Sequence, residues 1–175
     1  PGPISTAEKI KLIDALSETG LKNIQACSFV NPRLVPGWAD AEAVVEGFTA
    51  IKGIKYSGLY FYGHGLDRAL SYKDKLTLSG EISLTASEGF TKKNLNRSHA
   101  ENVVAMKRHA TAHLDNKISV NSIGVMAAFG CNYQGDIAPE VIVNTLKDGM
   151  SIAEETGAKI TVFSLADTMG GAAPH

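Results

Sequence analysis

The 175-residue sequence predicts an α/β fold in which parallel strands alternate with helices. Three observations carry that prediction. β-rich runs and helix-period runs follow one another in turn along the chain. The stretches between successive β-rich runs are long enough to hold a helix, as parallel pairing requires. Small and polar residues gather at the carboxyl end of each β-rich run, where the loops of parallel α/β folds vary without disturbing packing. Hydrophobic residues make up 44% and charged residues 20% of the chain, the balance of a globular domain, and a chain this long buries roughly 70% of its unfolded surface in one core.

The elements are justified in order. Ser5-Thr-Ala-Glu8 is a capping box, with Leu12, Ile13 and Leu16 following at helical spacing, so a helix is expected from about Thr6 to Glu18, closed by Gly20. Lys22 to Val30 is a short β-rich run around Ile24 and Phe29, followed by the Pro-punctuated loop Asn31 to Trp38. Asp40 begins a second helix to about Ile51, and Tyr56 to Tyr62 is the next strand. Gly63-His64-Gly65 opens a short helix carrying Leu66, Ala69 and Leu70, and Leu76 to Thr85 is the third strand. Thr91 reads as the N-cap of the longest helix, whose apolar stripe is Val103, Met106, Ala110 and Leu114. Ile118 to Met126 is the fourth strand. Asp136 to Glu155 is a helix with Ile142, Leu146, Met150 and Ala153 on its buried face, and Lys159 to Leu165 is the fifth strand. Residues 1–175 are read as a single domain, because no linker, low-complexity segment or charge block divides them.

Composition also excludes. A formal net charge of −1 leaves no field to gather nucleic acid or an anionic membrane. No run approaches the roughly 18 apolar residues of a membrane span, and the amino terminus lacks a secretory layout, so the chain reads as cytoplasmic or as a mature organellar protein. Cys27 and Cys131 form no CxxC pattern and are expected to be free thiols packed in the interior. No GxGxxG or GxxxxGK[ST] fingerprint occurs, which argues against a dinucleotide or P-loop site. His109 and His113 share a helix face and could ligate zinc, but Ala110 stands where the zincin pattern needs Glu, so a solvated helix edge is expected. Spacing alone leaves open a doubly wound sheet or part of a (β/α)8 barrel. The sequence opens on a helix and stops just after a strand, which reads as a segment of something larger.

Candidate site residues lie at the strand ends: Gln25 and Ser28 after the first strand begins, Tyr62 and His64 after the second, Ser87 and Glu88 after the third. Cys131 and Asn132 follow the fourth, and Ser164, Asp167 and Thr168 lie on or after the fifth. Five motifs carry a resemblance: Ile4 to Ile13, Ser28-Phe-Val-Asn-Pro32, Phe90-Thr-Lys-Lys-Asn94, Phe129-Gly-Cys-Asn-Tyr-Gln-Gly135 and Ser164-Leu-Ala-Asp-Thr-Met-Gly170. Together they resemble the 3-hydroxy-3-methylglutaryl-CoA lyases, metal-dependent TIM-barrel enzymes.

The resemblance implies a partial TIM barrel lacking the first strand and the last two. It also implies cleavage of a hydroxymethylglutaryl-CoA-like acyl-CoA to acetyl-CoA and a keto acid in the intact protein. By the same resemblance Asp167 stands near the reacting centre, and Ser28, Ser164 and Thr168 line the substrate with Tyr62 and His64. Lys93 and Asn94 lie where CoA approaches, and two lysines in a first helical turn would favour an anion there. The family's divalent cation, Mg2+ or Mn2+, is held by ligands that match no position of this chain, so no metal ligand is assigned. Gln25 stands where the family has glutamate; an amide keeps a hydrogen bond but neither charge nor basicity. The segment alone is expected to be inactive, and a homodimer is admitted. A noncatalytic half-barrel that binds CoA or a partner, and a related condensing enzyme, are the alternatives.

Overall fold

The computed structural model describes residues 4–61 and 63–172, and the chain falls into two compact units, residues 1–78 and 79–175. Each unit builds its own parallel sheet.

In the first unit, helix α1 spans Thr6–Ser17 and starts on the expected capping box: Glu8 N donates to Ser5 Oγ at 3.3 Å, and Ser5 N donates to Glu8 Oε2 at 2.8 Å. Strand β1 (Asn23–Ser28) pairs in parallel with β2 (Lys55–Leu59), from Asn23 opposite Lys55 to Ser28 opposite Leu59, with an irregularity between Gln25 and Cys27. Between them lie a 3-10 turn, Pro36–Trp38, and helix α2, Ala41–Gly47. Helix α3 (His64–Leu70) follows β2. The second helix ends at Gly47 rather than near Ile51. Phe48 leaves the helix in an extended conformation, which buries its ring 4.7 Å from that of Tyr56. The buried Tyr56 hydroxyl is satisfied by donating to Ser17 Oγ at 2.8 Å.

In the second unit, β3 (Gly80–Thr85), β4 (Val120–Met126) and β5 (Val162–Leu165) form a parallel sheet in that order. Helices α4 (Glu88–Leu95), α5 (His99–Asp115) and α6 (Pro139–Thr156) make the crossovers. The core joins Ile82 and Leu84 of β3, Val120 and Ile123 of β4, Met106 and Ala110 of α5, and Ile152 and Ala153 of α6, with Val103, Leu114 and Leu146 at its margin. The stripe read for the long helix therefore faces the sheet.

Four readings are corrected. Thr91 is no N-cap: it is buried inside α4, whose cap is Ser87, accepting from Phe90 N at 3.1 Å. The single long helix is two, because Asn96 adopts a left-handed conformation (φ 52°) that ends α4 and Ser98 with Glu101 forms a second capping box that starts α5. Met150 is 37% exposed, and the buried face of α6 is instead Thr145, Gly149, Ile152 and Ala153. Periodicity placed the stripe one position off because Gly149 carries no side chain to count, yet it is the point of closest approach: a Cβ there would stand 2.8 Å from Ile123 Cγ2.

His109 and His113 form no solvated edge. They are 5% and 0% exposed, with ring centroids 4.0 Å apart. Gly80 makes room for His113, since a Cβ at residue 80 would stand 3.0 Å from His113 Cδ2. Burial, then the neighbouring His113, push His109 down to about 4, and burial pushes His113 down as well.

Gly149→Ala should destabilise the protein. The helix-propensity gain of about 1 kcal/mol is outweighed by overpacking against buried Ile123, about 1–3 kcal/mol, and the urea midpoint reads the difference. The histidine pair generates a second expectation. Its folded pKa values lie below the unfolded value, so the unfolded chain binds more protons and stability falls as pH drops from 6.5 toward 4. His109→Gln should flatten the pH dependence of unfolding in that window.

Candidate functional site

Parallel pairing delivers the loops after β3, β4 and β5 to one end of their sheet, and a hub of side chains joins the first two. Ser87 has one proton and two lone pairs. Its hydroxyl donates to Gln134 Oε1 at 2.5 Å, accepts from Phe90 N, and lies 2.9 Å from Cys131 Sγ. Gln134 Oε1 also accepts from Gly89 N at 2.9 Å, and the Cys131–Gln134 turn closes through Cys131 N donating to Gly135 O at 2.9 Å. Burial pushes the Cys131 thiol up, but hydrogen bonds from Ser87 and from the backbone of Tyr133 and Gln134 outweigh it, and the net shift is downward.

The loop after β5 is organised by two of the sequence-predicted residues. Asp167 accepts from Gly171 N at Oδ1 and from Ala172 N at Oδ2, both at 3.0 Å. Thr168 Oγ1 accepts from Ala127 N at 2.8 Å, which ties this loop to the end of β4. Ser164, on β5 itself, donates to Glu81 Oε1 at 3.2 Å. Lys93 and Asn94 are exposed on α4, but the lysines occupy its last turn rather than its first. There their charge complements the carboxyl end of the helix, so the dipole argument for an anion beside them falls away.

In the first unit, Gln25 is exposed on β1 and Ser28 is buried at its carboxyl end. Ser28 Oγ makes no hydrogen bond among the described residues, an uncommon state for a buried hydroxyl and one that suits a ligand-facing wall. The backbone just beyond it is held by Arg68, which donates to Val30 O at 3.2 Å and to both Glu42 oxygens at 2.5 and 2.8 Å. That bidentate pairing holds the Glu42 carboxyl below its ordinary range. Burial, with the Glu42 charge, pushes Cys27 up to about 12, so it is a protonated packing thiol. His64 is exposed at the start of α3, and Tyr62 lies outside the described residues.

Sequence reading missed Glu81 and Thr85. Thr85 ends β3 as a buried hydroxyl whose Oγ1 is unpartnered among the described residues. The available signal for Glu81 was a charged residue between buried Gly80 and Ile82 at the start of a strand. Among the described residues no three His, Cys, Asp or Glu side chains converge as a cation centre would require.

These features define an α/β chain of parallel strands with helical crossovers, with hydroxyls and carboxylates set at strand ends. No protein-family model matches the chain. It is 37% identical over 173 residues to the mitochondrial hydroxymethylglutaryl-CoA lyase of Macaca fascicularis and 36% identical over 171 residues to that of Homo sapiens, each covering 98% of this chain and 50% of the relative. Against the Bacillus subtilis lyase YngG it is 32% identical over 175 residues, 54% of that protein.

Solved structures agree. The hydroxymethylglutaryl-CoA lyase of Bacillus subtilis superposes with a TM-score of 0.82 at 30% identity, covering 98% of this chain and 54% of that one. The Acinetobacter baumannii enzyme, solved with coenzyme A and 3-methylmalate, gives 0.79 at 28% identity, covering 99% and 53%. The chain thus matches, along nearly all its own length, a segment of the hydroxymethylglutaryl-CoA lyase family, and it spans about half the length of those relatives. The match decides between the two folds that spacing left open, in favour of part of a TIM barrel.

The hub generates an expectation about the thiols. Ser87→Ala should raise the Cys131 thiol pKa by removing the hydroxyl whose one proton can turn from Gln134 Oε1 to the sulfur once the thiol ionises, while Cys27 stays protonated up to about pH 12. Ultraviolet titration of thiolate in Cys27→Ala and Cys131→Ala backgrounds separates the two.

Proposed function

We propose that the protein containing this chain is a carbon–carbon lyase that cleaves a 3-hydroxy-3-methylglutaryl-CoA-like thioester to acetyl-CoA and a keto fragment. The observation that carries this reading is the similarity of 98% of the chain to hydroxymethylglutaryl-CoA lyases from animals and bacteria. The acyl-CoA substrate is supported by the coenzyme A complex of the Acinetobacter baumannii relative.

In this reading the roles of the residues follow the resemblance, each within its own unit. By the resemblance Ser28 lies beside the acyl group, and its buried hydroxyl has no hydrogen-bond partner among the described residues. Asp167 stands near the reacting carbon, and its two backbone donors fix the carboxylate in one orientation. Gln25 offers an amide hydrogen bond without charge, so a base acting on the tertiary hydroxyl has to come from another residue. Thr168 positions Asp167 through the Ala127 amide. Lys93 and Asn94 offer exposed polar contacts to the CoA moiety, and Tyr62 and His64 belong to the pocket wall.

The resemblance implies a Mg2+ or Mn2+ ion acting as Lewis acid. The same resemblance matches its ligands to no position of this chain, among the described residues no three His, Cys, Asp or Glu side chains converge, and no step is derived through it. Among the described residues no helix is long and apolar enough to cross a membrane. A cytoplasmic location, a homodimer, and the lack of nucleic-acid or membrane partners stay with the proposal; several animal relatives are named as mitochondrial.

Hydroxymethylglutaryl-CoA turnover by the full-length protein, measured with Mg2+ or Mn2+ and again after chelation, tests the reading. Chelator-sensitive release of acetyl-CoA is expected, with Asp167→Asn lowering kcat by about 100-fold or more; residues 1–175 alone should give none. Coenzyme A binding by the full-length protein without any turnover would favour the noncatalytic alternative.

A further inference from the structure

The end of β4 holds the loop after β5 through a backbone conformation that few residues with a side chain adopt. Ala127 has φ 53°, in the left-handed region, and is fully buried. In a parallel sheet, successive residues of a strand turn their backbone polar groups to opposite neighbours. Val125 O accepts from Ala166 N at 2.9 Å on the β5 side, and Met126 O accepts from Ala86 N at 3.0 Å on the β3 side. Ala127 continues the alternation, its N–H donating to Thr168 Oγ1 at 2.8 Å, toward β5 again. Ala128 should then turn back toward β3. Instead its N–H donates to Ala166 O at 3.1 Å, so the left-handed residue sends two consecutive amides to the same side.

Those two amides bracket Asp167. One holds the residue before it by the carbonyl, and the other holds the residue after it by the hydroxyl. The carboxylate itself is turned onto Gly171 N and Ala172 N, both at 3.0 Å. Strand β5 is only four residues long and exposed along its length, so the loop takes its placement from β4 more than from its own strand. The β4 end is firmly seated: Ala128 is 1% exposed and packs with Ala86 and Val125 against Ile137, Ile142 and Leu146.

We propose that Ala127 is a positioning residue for Asp167, acting through its left-handed backbone, which makes the end of β4 a two-amide clamp around the carboxylate-bearing residue. The inference rests on the lyase reading, in which Asp167 stands near the reacting carbon, and adds to it the element that holds the acid in place. Ala127 touches no substrate in this role. Glycine adopts the left-handed conformation freely, whereas a β-branched residue adopts it only as an outlier. A reacting group displaced by about 1 Å loses on the order of 100-fold in rate while the substrate still binds.

The test is a double-mutant cycle on the full-length protein with hydroxymethylglutaryl-CoA and Mg2+. Ala127→Val should lower kcat by on the order of 100-fold with KM moved less than about threefold. Ala127→Gly, the conservative variant, should recover that loss to within about threefold of wild type, because glycine keeps the conformation. In an Asp167→Asn background, Ala127→Val should cost less than about twofold, since a residue that acts through Asp167 has nothing left to position. Equal losses from Ala127→Val in both backgrounds, the mark of a merely structural residue, would overturn the inference, and so would a loss from Ala127→Gly as large as that from Ala127→Val. If Ala127→Val does not fold, Thr168→Val removes the Ala127 acceptor at an exposed position, and the same cycle is expected of it. An impaired Asp167→Asn beside a fully active Ala127→Val overturns this inference alone. Wild-type turnover by Asp167→Asn removes the role of Asp167 and the inference together, and a wild-type protein without turnover overturns the lyase reading with both.

Discussion

Parallel pairing is the constraint on which the rest of the molecule depends. A parallel neighbour can be reached only by a crossover, and in each unit that crossover contains a helix, which must bury one face on the sheet it spans. Two consequences follow for the β3–β4–β5 sheet. Ile82, Leu84 and Ile123 are committed to the helix side, and every loop that follows a strand emerges at the same end. Ser87, Cys131, Gln134, Asp167 and Thr168 are gathered by that geometry, although as many as 81 positions separate the first from the last in sequence.

Glycines mark where this arrangement is tightest, and they do so on both faces. On the helix side Gly149 lets α6 approach Ile123, and Gly80 admits the His113 ring. On the other side Gly124 leaves space for a carboxylate instead of an apolar group. The same residue type thus serves packing on one side of the sheet and polarity on the other.

Loop order after β3, β4 and β5 rests on hydrogen bonds rather than ion pairs. Ser87 and Gln134 join two loops, and Asp167 spends both oxygens on backbone amides. Such contacts are directional and lose little to salt, whereas exposed pairs such as Lys107 with Glu155 contribute about 0–1 kcal/mol. In the first unit charged side chains do this: Arg68 makes two bonds to Glu42 and one to Val30 O just after Ser28, and Lys9 donates to Asp40 and to Gly37 O.

The strands and most of the helices were legible from local pattern: the capping box at Ser5, the β-rich runs at Ile24 and Ile123, and the apolar stripe on α5 all arise from neighbours in sequence. The resemblance that named the family was legible too, since motifs such as Ser164 to Gly170 survive as contiguous text. What local pattern could not supply is anything decided by close approach. Asn96 breaks a helix through a left-handed backbone conformation, Gly149 shifts the buried face of α6 away from Met150, and His113 is buried where Gly80 leaves room for its ring. Glu81 is a strand-end charge in the sequence; only the register of three strands places it over Gly124 and beside Ser164. Periodicity records which face a residue belongs to, while distance across strands belongs to the folded chain, and the chemistry of a site is set by distance.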